Sequence, residues 1–111
     1  MDKDINYILQ DCTKGLHEIF GNKLRQVILY GSYARGDFDR ESDIDVMVLV
    51  EMSNEDIAIN REKVMELGAE LSYTNDIMVS IIVKDINHFK SWLPIYPFYK
   101  EVIKEGVEVF G

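Results

Sequence analysis

A glycine-serine turn and a pair of aspartates lie within fifteen residues of each other. Residues 31–37 read Gly-Ser-Tyr-Ala-Arg-Gly-Asp, and residues 42–45 read Ser-Asp-Ile-Asp. Gly31 and Ser32 fall where a strand should turn into a short helix. Free backbone N–H groups and the Ser32 hydroxyl can point at an anion from such a turn. The segment therefore predicts a site that cradles phosphate.

Asp43 and Asp45 are two residues apart on an expected strand, so both side chains leave the same face, with Cα atoms about 6.5 Å apart. Magnesium takes oxygen ligands and keeps part of its shell for water and substrate phosphates, which suits two or three carboxylates. The pair therefore predicts a magnesium site that needs neither histidine nor cysteine.

The joint pattern is more specific than either part. In a chain with this aspartate content, about one Asp-x-Asp pair is expected by chance. The whole pattern is Gly-Ser-x₃-Gly and Asp-x-Asp with six residues between them. It is expected by chance in roughly 2 of 10,000 chains of this composition. An acidic strand end without function therefore explains the full pattern poorly.

The elements that position these residues alternate between helix and strand. Apolar residues from Ile5 to Phe20 recur at helical spacing, with Asp2 or Asp4 available as a cap. β-Branched and aromatic runs predict strands, and Ser53 followed by Asp56 resembles a capping box that opens a long second helix. The expected order after the first helix is strand 27–30, strand 44–50, helix 53–73, strand 77–83, a short helix from Pro97 to Gly106 and an edge strand 107–110. The fold class is α/β or α+β, with a small mixed sheet flanked by helices.

Length and charge limit the function. The chain has 111 residues and a net charge of −8, which predicts one domain over residues 1–111 and argues against nonspecific nucleic-acid binding. The single cysteine, Cys12, fits a small core residue and a reducing cytosol. No run approaches the ~20 apolar residues of a membrane-spanning helix. We expect a cytoplasmic protein without membrane contact.

Residues 31–48 resemble the nucleotidyltransferase superfamily typified by DNA polymerase β and, within it, the minimal nucleotidyltransferases. The resemblance implies that Gly31 and Ser32 hold the phosphates of a nucleoside triphosphate. It also implies that Asp43 and Asp45 bind two magnesium ions, and that a third carboxylate comes from a later strand.

Asp76 is the predicted third acid, because it directly precedes the expected strand 77–83. It would ligate metal and accept a proton, although Asn75-Asp76 is also a common turn pair. Asp85 and Glu70 would each need a different topology. Arg35 lies close to the predicted phosphate turn, so it could contact the triphosphate through a bidentate bond.

By this resemblance the chain is a magnesium-dependent nucleotidyltransferase that moves AMP from ATP onto a hydroxyl. The family further implies an antitoxin that adenylylates a tyrosine of a small all-helical HEPN toxin. Two alternatives stay open: a catalytically silent, transferase-like protein that neutralises a partner, and a subunit of an antibiotic-modifying nucleotidyltransferase.

Three further features receive weaker interpretations. The aromatic segment from Trp92 to Tyr99, next to two prolines, is either core or a surface that docks the partner. His17 and His88 lack partners at metal-ligand spacing and are assigned no role.

Overall fold

The computed structural model describes residues 5–111, and Asp2 and Asp4, the suggested helix caps, lie outside this range. Helices and strands alternate along most of the chain, as the sequence predicts. The elements are α1 (Asn6–Phe20), a 3₁₀ turn (Gly21–Lys23), β1 (Leu24–Tyr30), α2 (Ser32–Arg35), β2 (Ile44–Val50), α3 (Asn54–Ile59), α4 (Arg61–Asn75), β3 (Val79–Asp85), α5 (Ile86–Trp92), α6 (Pro97–Glu105) and β4 (Val107–Phe110).

The four strands form one mixed sheet in the order β3-β2-β1-β4. β1 pairs antiparallel with β2 and with β4, and β2 pairs parallel with β3. The predicted class, a small mixed sheet flanked by helices, is confirmed. β2 is a central strand, so Asp45, its second residue, has a neighbouring strand on each side.

Alternate residues of β2 contribute to two hydrophobic clusters. Val46 and Val48 belong to the larger cluster, with residues of α1 and α4. Met47 and Leu49 belong to the smaller one, with residues of α5 and α6. Because side chains alternate along a strand, Asp45 faces the same side as Met47 and Leu49. We call this side the α5/α6 face.

The helix predicted over residues 53–73 is wrong as one element, since α3 and α4 are separated at Asn60. The Asn60 side chain donates to the Asp56 carbonyl at 3.0 Å, and its backbone has φ −95° and ψ 4°. Asparagine competes for backbone groups in this way and favours helix ends. The capping prediction holds, because the Asp56 N–H donates to Ser53 Oγ at 3.2 Å.

The strand predicted over residues 77–83 instead begins at Val79 and ends at Asp85. Helix α5, which the sequence analysis did not predict, follows directly. Asp85 caps it by accepting a hydrogen bond from the Asn87 N–H at 3.0 Å. The strand predicted over residues 27–30 begins earlier, at Leu24.

The end of the chain follows the prediction. Pro97 opens α6, where a proline costs no backbone hydrogen bond, and Gly106 ends it before edge strand β4. Cys12 is 1% exposed in the core, and burial raises the pKa of its thiol to about 12. Among residues 5–111, no helix is long and apolar enough to cross a membrane.

Candidate functional site

The glycine turn lies directly against one carboxylate of the acid pair. Gly31 has φ 80° and ψ −159°, in a region that favours glycine, and α2 begins at the next residue. A Cβ at position 31 would lie 2.5 Å from Asp45 Oδ2. Only a residue without a side chain lets the turn approach Asp45 this closely, so the predicted phosphate site and the predicted metal site meet here.

Asp43 and Asp45 lie at the start of β2, and Asp45 pairs with Tyr30 of β1 and Ser80 of β3. Asp43 is exposed, whereas Asp45 is half-buried. Within residues 5–111, neither carboxylate accepts a hydrogen bond that would compensate its charge. The pair therefore presents four oxygen acceptors without internal partners.

Burial is the main cause that raises the pKa of the Asp45 carboxyl, and the charge of Asp43 raises this pKa further. Arg35 lowers it. The pKa of Tyr30 rises to about 12 through burial and the neighbouring Asp45 charge. In both groups burial is the larger cause and a neighbouring carboxylate charge adds to it, and a bound cation would offset that added charge.

Arg35 is held by two other carboxylates. Its Nε donates to Asp37 Oδ2 at 3.1 Å, and its Nη1 donates to Glu105 Oε1 at 2.9 Å. These bonds raise the pKa of the guanidinium and connect the glycine turn to the end of α6. A triphosphate bound by Arg35 would have to compete with Glu105.

Asp76 ends helix α4 instead of opening β3. Its backbone is left-handed, with φ 53° and ψ 43°, and β3 starts three residues later. Cavities of about 590 and 980 Å³ both have Asp43 and Asp76 in their walls, but Asp45 lines neither. In the described part of the chain, no three Asp, Glu, His or Cys side chains converge to hold a metal ion. The structure thus brings Asp76 near Asp43 but forms no three-acid ligand set.

Ser80 is the residue that the sequence analysis missed. It stands next to Asp45 across the parallel β2–β3 pairing and lines the larger cavity together with Asp43. Its signal in the sequence is a single hydroxyl within the otherwise apolar run 77–83, which carries no meaning until the register is known.

The aromatic segment 92–99 divides between core and surface. Tyr99 is 2% exposed and belongs to the smaller cluster, whereas Trp92 and Tyr96 are each about half exposed. The ring of Phe98 contacts Tyr30, with ring centroids 5.7 Å apart. The exposed side of the segment therefore lies near the strand that carries Tyr30.

The residues at the site fit a divalent cation such as Mg²⁺. The donors are carboxylate and hydroxyl oxygens, the ligands that Mg²⁺ prefers. Two carboxylates without internal hydrogen bonds leave room for waters and phosphates. With the glycine turn against Asp45, the arrangement suits transfer of a phosphoryl-linked group.

The mixed sheet, the glycine turn and the acid pair define a nucleotidyltransferase. The family model for the nucleotidyltransferase domain matches residues 10–109. The chain therefore belongs to this family and is a nucleotidyltransferase enzyme.

Curated relatives from Methanocaldococcus jannaschii cover almost all of the chain. "Putative protein adenylyltransferase MJ0141" is 37% identical over 107 residues, which is 96% of this chain and 99% of the relative. "Putative protein adenylyltransferase MJ0604" is 26% identical over 98 residues, or 88% of this chain and 90% of the relative.

Solved structures share the fold. A crystal structure of a toxin-antitoxin with AMP-PNP has a TM-score of 0.62 and 26% identity, covering 93% of this chain and 73% of that chain. The tri-AMPylated Shewanella oneidensis HEPN toxin in complex with MNT antitoxin gives a TM-score of 0.54 at 21% identity, covering 95% and 71%. At 21% identity, the similarity to the HEPN–MNT complex concerns the fold alone. The resemblance to the nucleotidyltransferase superfamily is confirmed.

Proposed function

We propose that the chain transfers AMP from ATP to a protein hydroxyl, a tyrosine of a small helical HEPN toxin, and acts as its antitoxin. Two magnesium ions at Asp43 and Asp45 assist the reaction. The close approach of the Gly31 turn to the Asp45 carboxylate supports this proposal, because a turn suited to phosphate lies beside an acid suited to a cation.

In the proposed reaction, the hydroxyl oxygen bonds to the α-phosphorus and the bond to the bridging oxygen of pyrophosphate breaks. The hydroxyl proton passes to solvent. Bound Mg²⁺ supplies charge neutralisation for the phosphates and lowers the pKa of the attacking hydroxyl. The chain itself orients the nucleotide, with Gly31 and Ser32 against the phosphates and Arg35 released from Glu105 to bind them.

The choice of AMP and of a protein acceptor rests on the relatives. Two relatives that cover most of this chain carry the name of protein adenylyltransferase. One related structure contains AMP-PNP, and another contains an AMPylated HEPN toxin with an MNT antitoxin. These support ATP as the donor and a HEPN protein as the acceptor.

A second candidate is a binding protein that neutralises its partner without turnover. The absence of a three-acid cluster among residues 5–111 favours it, since a weaker cation site would slow transfer. The two candidates predict the same complex but different chemistry.

The test is incubation with ATP labelled at the α-phosphate, MgCl₂ and the product of the gene adjacent to the one that encodes this chain. Transfer labels that protein, and the Asp43→Asn/Asp45→Asn variant does not. Glu62→Gln/Glu66→Gln is the matched control: it removes two exposed charges from α4 and should label normally. A complex that forms without label would support the binding protein and overturn the transferase role.

A further inference from the structure

The β2–β3 register determines which residue can complete the acid pair. Asp45 is the direct partner of Ser80, and the Ile44 N–H donates to the Met78 carbonyl at 2.9 Å. Continuing the parallel register by one residue places Met78 beside Asp43. The two positions that flank the acid pair from β3 are therefore a serine and a methionine.

Ser80 faces the same side of the sheet as Asp45. The next pairs along the two strands, Val46 with Ile81 and Met47 with Ile82, divide between the two clusters as alternation requires. Ser80 therefore shares the α5/α6 face with Asp45, one strand spacing of about 4.8 Å away. A cation between the two strands can contact both side chains.

The Ser80 hydroxyl is available for this contact. It is half-buried, and no hydrogen bond occupies it in the part of the chain that the structure describes. The 980 Å³ cavity beside Asp43 has both Ser80 and Asp76 in its wall, so it does not distinguish the two residues. The relation that belongs to Ser80 alone is its register with Asp45.

Asp76 lacks this relation to Asp45. It ends α4, a helix that packs on the opposite face of the sheet, where Val64 and Leu71 join the larger cluster. Asp76 lines the cavities beside Asp43, but it does not pair with any residue of β2.

Resting on the proposed function, we infer that Ser80 is the third side chain of the cation site, a neutral hydroxyl where a third carboxylate would add charge. The protein then supplies two negative charges instead of three. Because affinity for hard cations rises with the number of charged ligands, the free protein binds the cation weakly. The nucleotide's phosphates supply the missing negative ligands, so cation and nucleotide bind together.

The test is calorimetric titration of the full chain with MnCl₂, alone and with a non-hydrolysable ATP analogue. Ser80→Asp is expected to tighten Mn²⁺ binding without nucleotide by about tenfold or more, since it adds a charged ligand. Ser80→Ala is expected to weaken binding of Mn²⁺ with the analogue. Asp76→Asn is expected to leave both titrations unchanged.

Ser53→Asp is the matched control for added charge. Aspartate caps a helix as well as serine does. Ser53 lies beyond the far end of β2, which is itself about 17 Å from Asp45 at the usual rise per residue. This variant should bind Mn²⁺ as the unmodified protein does.

The outcomes separate the two proposals. If Asp43→Asn/Asp45→Asn binds Mn²⁺ normally, the cation site itself fails. If that variant loses binding while Ser80→Asp and Ser80→Ala both behave like the unmodified protein, the role of Ser80 is overturned. Loss of binding in Asp76→Asn alone would assign the third position to Asp76. Should Ser80→Asp not fold, the Ser80→Ala titration decides.

Discussion

Asp45→Asn should stabilise the metal-free protein at neutral pH. Asp45 is half-buried against Gly31, accepts no hydrogen bond among residues 5–111, and has its pKa raised by burial and by Asp43. Asparagine keeps the shape of the side chain and removes its charge. The substitution therefore relieves both the desolvation and the repulsion that the native carboxylate carries.

The repulsion part of the effect can be worked out from the spacing of the two residues, whose Cα atoms are ~6.5 Å apart on a strand. At about 6.5 Å, two unit charges repel by about 0.6 kcal/mol in water and about 2.5 kcal/mol at an effective dielectric of 20. Asp43 is exposed, so screening places the value near the lower end. We expect a gain of ~1 kcal/mol, or about 4 °C in Tm for a chain of this size.

The gain should depend on pH with a defined sign. A carboxyl whose pKa is raised by folding binds protons more readily in the native state, so native stability falls as pH rises from the unfolded pKa through the folded one. The advantage of Asp45→Asn is therefore complete above the raised pKa. It declines as pH falls and disappears below the ordinary pKa of aspartate, near 4.

Thermal melts with EDTA, measured from pH 3 to pH 8, test this reasoning. The single variant Glu62→Gln, which removes one exposed charge from α4, should show no comparable gain. A lower Tm for Asp45→Asn at pH 7.5 would refute the reasoning, as would a gain that persists unchanged at pH 3. In either case, the Asp45 charge would not oppose folding.

Three further substitutions test the turn, the arginine and the aromatic surface. Gly31→Ala should destabilise the protein by ~1–2 kcal/mol because position 31 has a positive φ, and it should displace Asp45. Thermal melts should therefore show a lower Tm, and calorimetry should show a loss of Mn²⁺ binding. Normal Mn²⁺ binding would show that the turn does not contribute to the cation site. Glu105→Gln should release Arg35 and tighten ATP-analogue binding by about two- to fivefold, whereas weaker binding would show that Glu105 orients the arginine. Trp92→Ala/Tyr96→Ala removes half-exposed rings and should abolish partner binding in gel filtration while leaving the Tm nearly unchanged; a persisting complex would remove this surface from the interface.

The sequence predicted the elements whose signals are local. Helix α6 begins at Pro97 and ends before Gly106 because each of these residues acts on its own backbone. The Ser53 cap likewise depends only on residues three positions apart. The break at Asn60 was missed because both halves of that segment keep an apolar stripe. Helix α5 was missed because it is only seven residues long.

The turn and the strand of the candidate site were predictable because one short segment contains both. Gly31, Ser32, Asp43 and Asp45 lie within fifteen residues, and their predicted turn and strand are present in the fold. The third position depends on pairing between β2 and β3, which are separated by two helices. Asp76 was chosen because it directly precedes the expected strand 77–83, whereas β3 begins two residues later, at Val79.

The same charges that oppose folding can make binding selective. An acid pair without internal hydrogen bonds leaves its desolvation and repulsion uncompensated in the free protein, so a ligand must bring positive charge. Mg²⁺ bound to a triphosphate brings its own anionic ligands along with that charge. A site with two carboxylates and a hydroxyl therefore discriminates against the bare cation and in favour of the cation-nucleotide complex. Arg35, released from Glu105 only when phosphate competes for it, would add a second requirement for the nucleotide.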